Sequence, residues 1–271
     1  MKSDQRPPIE TLSPDKPYWL RKWVGKQPHG SSILRDLSED QILRWMCAAL
    51  TLADWLIPYR EKLLGRAKPK VALIGASADS EGVNQGQPLR YVAPLLGLTR
   101  LDFHLVGRES PTGILQPGTA EYPSQVRGSR VNWQEIEQRE ISEGMDAAFL
   151  FHPGLHATPR DVLPYVPKEH GNDLLETGCF KAIVLAGLPL GMSAFNLKDA
   201  KRDCEKLEAH GFKTANLRKN RWGFQDANPV LRQDTGEVLR DGDGDVLYNA
   251  NSLYLWNVIS LSIAGDANQP T

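Results

Sequence analysis

Cysteine is scarce in this chain of 271 residues. Cys47, Cys179 and Cys204 are far apart, odd in number and form no CxxC pair. That argues against a disulfide framework and offers no zinc-ligand spacing, so reduced thiols in a cytoplasmic protein with no metal are expected. Long hydrophobic runs are also missing. Charged or polar residues interrupt every apolar stretch before it is long enough to cross a bilayer, and no membrane partner is expected. The first residues, "MKSDQRPPIETLSPDKPYW", contain no apolar segment of the kind that directs secretion. Neither sign of charge dominates: 32 basic against 33 acidic residues leave a net charge of -1. No global field recruits nucleic acid or an anionic surface, which leaves only local patches for such work.

Complete catalytic patterns are missing as well. "GMSAF" around Ser193 falls short of the G-x-S-x-G elbow because Phe195 stands where glycine is needed. "DGDGDVLYNANS" imitates a calcium loop at Asp241, Asp243 and Asp245. It fails at Val246, where the sharp turn needs glycine, and at Ser252, where a bidentate glutamate belongs. A solvated hairpin turn is the better reading. His152 and His156 have metal-ligand spacing, but Pro153-Gly154 breaks the helix that would bring them together.

What is present is an ordinary globular balance, 41% hydrophobic and 24% charged, long enough for one large α/β domain. Residues 1–36 read as an irregular arm, rich in proline and charge, in which Trp19 and Trp23, four apart and placed to share one short helical turn, pack it onto its own domain. Residues 37–271 read as a single domain. It opens with a helix capped by Ser38 and Gln41, with Leu37 and Ile42 as a staple and Pro58 as its end or a kink. Apolar runs at Val71–Ile74, "LDFHLVG", "DAAFLFHPG" and "KAIVLAGLP" predict four buried strands. "LKDAKRDCEKLEAH" is the clearest later helix, with Gly211 past its end. Residues 108–132 are expected to be a long irregular loop, and residues 133–145 fit helix or strand equally. "VLRQDTGEVLRDGDGDVLYNA" predicts a β-hairpin or meander, and "SLYLWNVISLSI" a buried helix or strand.

Strands alternating with helices predict a doubly wound, mostly parallel, Rossmann-like sheet with a C-terminal β-hairpin extension. Ligands of such sheets sit beyond the carboxyl ends of the strands. Gly75, Ser77, Glu81, Gly107, Glu109, His152 and Gly154 follow those ends and are the candidate cofactor-binding residues. His104, inside a strand, is expected to be a neutral, hydrogen-bonded imidazole.

The order of the helix "LSEDQILRWMCAALTLADWL", "VALIGAS" followed by Glu81, "LDFHLVGRE", "DAAFLFHPGL" and "SAFNLKDAKRDCEKLEAHGF" leading to "NP" resembles the C-terminal domain of the mitochondrial splicing suppressor Mss51 family. The likeness spans most of the chain and implies an α/β fold. It does not extend to that family's MYND zinc finger, for which three scattered cysteines do not suffice. The chain is also distantly similar to class I methyltransferases. That resemblance implies S-adenosylmethionine held at Gly75 and its ribose at Glu109. "GASADSEG" lacks the close-set glycines of such sites, and Glu109 lies further on than the usual acid.

With no complete catalytic cluster, the leading expectation is a non-catalytic α/β binding protein that contacts another protein, as a regulator or an immunity-type inhibitor of a toxin. Trp19, Trp23, Arg108, Arg218, Arg221 and Trp222, with the loop 108–132, would form the contact surface. The alternative is a methyltransferase-like enzyme binding S-adenosylmethionine or a nucleotide. A third reading is nucleic-acid binding through "LRKNRWGF".

Overall fold

The computed structural model describes residues 7–28, 30–33, 35, 37–75, 83–107, 110–130, 144–151, 183, 187–194, 197–223, 232, 235–238, 240 and 257–263. Its centre is an eight-stranded sheet. The strands are β1 (Lys70–Ile74), β2 (Asp102–Gly107), β3 (Gly113–Gln116), β4 (Val126–Arg130), β5 (Ala147–Leu150), β6 (Leu190–Ala194), β7 (Phe212–Lys219) and β8 (Asn257–Ile263), in the spatial order β3-β4-β2-β1-β5-β6-β8-β7. β1, β2, β4, β5 and β6 run parallel to their neighbours in this set. β3 is antiparallel at one edge, and β8 lies antiparallel between β6 and β7.

Alternation along the strands builds two cores. Val71, Leu73, Phe103, Leu105, Ala147 and Phe149 face one side of the sheet. Ala72, Ile74, Val106, Ala148, Leu150 and Met192 face the other. Because both sides are covered, the strands read as continuous apolar runs. The fold is therefore a doubly wound, mostly parallel, Rossmann-like α/β sheet, as the strand-helix alternation implied.

The first core is covered chiefly by a long helix spanning Glu39–Leu56, preceded in the chain by α1 (Pro8–Thr11), α2 (Pro17–Gly25) and α3 (Gly30–Ile33) and hence named α4. Its start is set locally. Ser38 Oγ accepts from the Gln41 N–H at 3.2 Å, and Gln41 Oε1 accepts from the Ser38 N–H at 2.7 Å. Leu37 packs partly buried on the same core that holds Ile42, which completes the staple. From Ala49 to Leu56 every residue is buried, because this half lies between sheet and N-terminal helices. A 3₁₀ turn over Ile57–Tyr59 ends it at Pro58 and leads into α5 (Arg60–Leu64). The second core is covered by α7 (Leu197–Ala209), which follows α6 (Val92–Leu95) in the numbering and buries Ala200 and Leu207.

Three expectations are corrected. The arm is helical rather than irregular, and Ile9, Leu12, Leu20 and Val24 belong to the first core. The fourth strand is Leu190–Ala194, not 181–189. Ile183 is helical and Gly187 turns with φ 66°, so strand pairing starts only at Leu190 opposite Ala148. A short apolar run such as "KAIVLAG" carries no period that separates helix from strand. Residues 108–132 contain β3 and β4. Gly128 makes this arrangement possible, since a Cβ there would sit 1.9 Å from the Pro111 carbonyl oxygen. The segment "SLYLWNVISLSI", read as helix or strand, is a strand over its described residues, and this strand, β8, lies in the sheet between β6 and β7. A turn of the expected type does occur at Thr235-Gly236, with the Glu237 carbonyl accepting from the Arg232 N–H at 2.8 Å. Asp241, Asp243 and Asp245 lie outside the described residues, as do Cys179 and residues 133–143.

Candidate functional site

Chain order defines where a ligand crevice must lie. From β1 the chain moves outward through β2 and β4, then returns to the other side of β1 to lay down β5 and β6. β1 and β5 are thus parallel neighbours on either side of this reversal, and in such sheets ligands sit beyond the carboxyl ends of the strands. At that edge Gly75 follows β1 with φ 78° and is exposed. Its N–H donates to the Val106 carbonyl at 2.8 Å, which fixes the turn against β2. A left-handed residue without Cβ keeps the backbone open to close approach by a ligand.

Gly107 ends the neighbouring strand, and the register Ile74↔Val106 brings these two glycines side by side. On the other side, Ile74↔Leu150 sets Phe151 next to Gly75. Phe151 is half-buried, with its ring 4.9 Å from that of Phe149. The sequence offered one signal for it, an aromatic immediately before the His-Pro-Gly break. Of the candidate cofactor residues, Gly75 and Gly107 are thus brought together. Ser77, Glu81, Glu109, His152 and Gly154 lie outside the described residues.

His104 is a neutral imidazole, as expected. It is 7% exposed, and its pKa is lowered to about 4 by burial first, then by the positive charges of Arg127 and Lys70. Arg127 lies 3.1 Å from Nδ1 and Ser129 Oγ 2.8 Å from Nε2. A guanidinium only donates, so Nδ1 carries the lone pair and Nε2–H donates to the serine. The histidine therefore has no free base to offer Ser129, and the pair is not a nucleophilic dyad. Ser193 is fully buried within β6 and cannot serve as a nucleophile elbow.

The contact residues divide. Trp222 is 1% exposed, a core side chain, which corrects its place in any contact surface. Arg221 and Arg218 are held by Asp54 of α4, at 2.8 Å and 2.6 Å, and Arg221 also donates to the Ile9 carbonyl at 2.9 Å. These arginines join the C-terminal strands to the arm, and the stacking site expected of "LRKNRWGF" is filled by the chain's own core. Trp23 is half-buried with its ring 6.2 Å from Tyr91. Trp19 remains exposed, and Arg108 lies outside the described residues.

A cavity of about 270 Å³ opens at the opposite, amino-terminal edge of the sheet, lined among others by Pro28, Arg90, Glu121, Tyr122 and Ser124. Arg90 stacks over the Tyr122 ring at 4.3 Å and donates to Gln116 at 3.1 Å. Tyr122 donates to the Pro28 carbonyl, and burial raises the pKa of both Tyr122 and Tyr91. Among the described residues no cluster of His, Cys, Asp or Glu is placed to hold a metal, and no helix is long and apolar enough to cross a membrane.

Strand order and register together define a Rossmann-like α/β protein whose chain order reverses between β1 and β5. No protein-family model matches the chain, and no curated protein matches it. Among solved structures it is similar to a putative methyltransferase from Thermoplasma acidophilum, at 12% identity and TM-score 0.33, covering 74% of this chain and 70% of that one. It is likewise similar to precorrin 8W decarboxylase from Methanobacterium thermoautotrophicum, at 12% identity and TM-score 0.33 over 76% and 88% of the two chains. A third is precorrin-6y C5,15-methyltransferase from Geobacter metallireducens, at 9% identity and TM-score 0.31 over 76% and 87%. The fold class rests on strand order and register rather than on these likenesses.

Proposed function

We propose that the chain is a methyltransferase-like protein that binds S-adenosylmethionine, or a related nucleotide, in the crevice beyond β1 and β5. One observation carries this reading: the left-handed, exposed Gly75 stands at the carboxyl end of the central strand, where chain order reverses. The described residues fit such a cofactor in this respect, since Gly75 and Gly107 offer backbone without side chains beside the half-buried ring of Phe151. In this reading Gly75 and Gly107 receive the cofactor, Glu109 binds its ribose, and Ser77, Glu81, His152 and Gly154 complete the rim. The cofactor, when bound, supplies an activated methyl group. The protein's part is to bind and orient it and to keep water away. Kinship with the Mss51-type domain rests on the sequence phrases alone and is part of the same proposal.

The test is calorimetric titration with S-adenosylmethionine and S-adenosylhomocysteine, paired with thermal melts. A specific ligand at 100 times its dissociation constant adds about 2.7 kcal/mol of stability. Gly75→Val is expected to abolish the effect, because a β-branched residue resists φ near 78° and fills the approach. No heat and no shift with either compound would remove the reading.

The non-catalytic alternative, contact with another macromolecule, keeps one of its described aromatic residues at the surface. That residue is Trp19.

A further inference from the structure

The outward face of α2 presents an aromatic pair that the rest of the described fold leaves exposed. Tyr18 is 57% exposed and Trp19 47%. Their rings lie 5.8 Å apart at 67°, and the Lys22 ammonium sits 5.1 Å over the Trp19 ring. Helical geometry explains the placement. At about 100° per residue, Lys22 falls opposite the arc between Leu20 and Val24, which the core buries. Tyr18 flanks Lys22 on one side, while Trp19 and Lys26 flank it on the other. Lys16, Lys22 and Lys26 are all exposed, and Asp15 is the one acid from residue 15 to 26. This is a local basic patch on a chain whose net charge is -1.

We propose that this face docks on the anionic headgroups of a bilayer surface, independently of whether the crevice binds a cofactor. Indole and phenol each combine an apolar body with a polar handle, and both settle at the membrane–water boundary. Lysines among them reach lipid phosphates and carboxylates. The contact is peripheral, with the helix lying along the surface. A single strand of nucleic acid suits the face less well. Stacking a base needs an open ring face, and the Lys22 ammonium already lies over Trp19. With no net field over the whole molecule, attraction is short-ranged and fades with added salt.

Flotation of the full chain with phosphatidylcholine vesicles containing about 30 mol% phosphatidylserine tests this, with pure phosphatidylcholine as the control. Binding is expected only to the anionic vesicles. Lys22→Gln with Lys26→Gln should lower the partition coefficient about 25-fold, at about fivefold per lysine. Trp19→Ala should weaken binding at every salt concentration, while the lysine effect vanishes at high salt. These side chains are exposed, so unchanged thermal melts are expected to show that the variants fold, and Tyr18→Ser is a second surface variant with the same expected direction. The proposal is overturned by absence of binding to anionic vesicles, equal binding to neutral ones, or variants that bind like the parent. Displacement from vesicles by a single-stranded oligonucleotide that needs the same residues also overturns it.

Discussion

Replacing Asp54 by alanine should loosen the N-terminal helices from the rest of the molecule. The carboxylate is 6% exposed in α4, yet its two partners come from the end of β7 and the turn after it, more than 160 residues later. Arg218 approaches Oδ2 at 2.6 Å and Arg221 approaches Oδ1 at 2.8 Å. Arg221 then spans to the carbonyl oxygen of Ile9 in α1. A fully buried ion pair that loses one partner costs about 3–5 kcal/mol. Here the arginine side chains are 43% and 36% exposed, so water solvates them once freed and the cost falls. Two charge-assisted bonds to a buried acceptor, discounted in this way, amount to about 2–3 kcal/mol. Urea unfolding at neutral pH measures it, and limited proteolysis near Ser13 reports the release of α1. Adding Arg221→Ala to Asp54→Ala should cost less than the sum of the single changes, because both remove the same bond. A loss below about 0.5 kcal/mol with an unchanged denaturant slope would mean that this cluster does not hold the arm.

Three further outcomes follow from the geometry. His104, with its pKa lowered to about 4 from 6.5, favours the neutral form in the fold. Its contribution is present above pH 6.5 and is lost as pH falls toward 4, because the unfolded chain takes up the proton first. His104→Gln should flatten the difference in urea midpoint between pH 7 and pH 5, and an equal difference in both proteins would contradict the assignment. Gly191→Ala should cost about 1–3 kcal/mol, since a Cβ there meets the Trp55 ring at 2.4 Å; a neutral result in thermal melts would show that α4 shifts freely on β6. Ser38→Ala should cost about 1 kcal/mol through loss of the helix cap, measured in the same melts, and an unchanged midpoint would show that packing alone starts α4.

Local chemistry is what the residues reveal directly. The capping box at Ser38 and Gln41 needs only neighbours three apart, so helix α4 and its start were legible, as was the strand β1 bounded by Pro69 and Gly75. The buried neutral state of His104 was legible for a similar reason, because an imidazole inside an apolar strand has to shed its charge. Gly75 at the carboxyl edge was placed correctly by the alternation of strands and helices. Contacts set by distance in space were not. "LRKNRWGF" reads as an exposed basic turn until Asp54 is seen between its arginines, and Trp222 lies beneath them in the core.

What the sequence determined by itself was the class of sheet and the capped start of α4, both of which follow from period and from neighbours along the chain. Tertiary structure alone decided that β8 enters between β6 and β7, and that short, glycine-containing β3 and β4 become strands. It also decided that one side of α2 stays uncovered while Trp222 does not. The reason is physical: strand pairing and side-chain burial depend on partners brought together from distant positions, and neither composition nor periodicity records which partner will arrive.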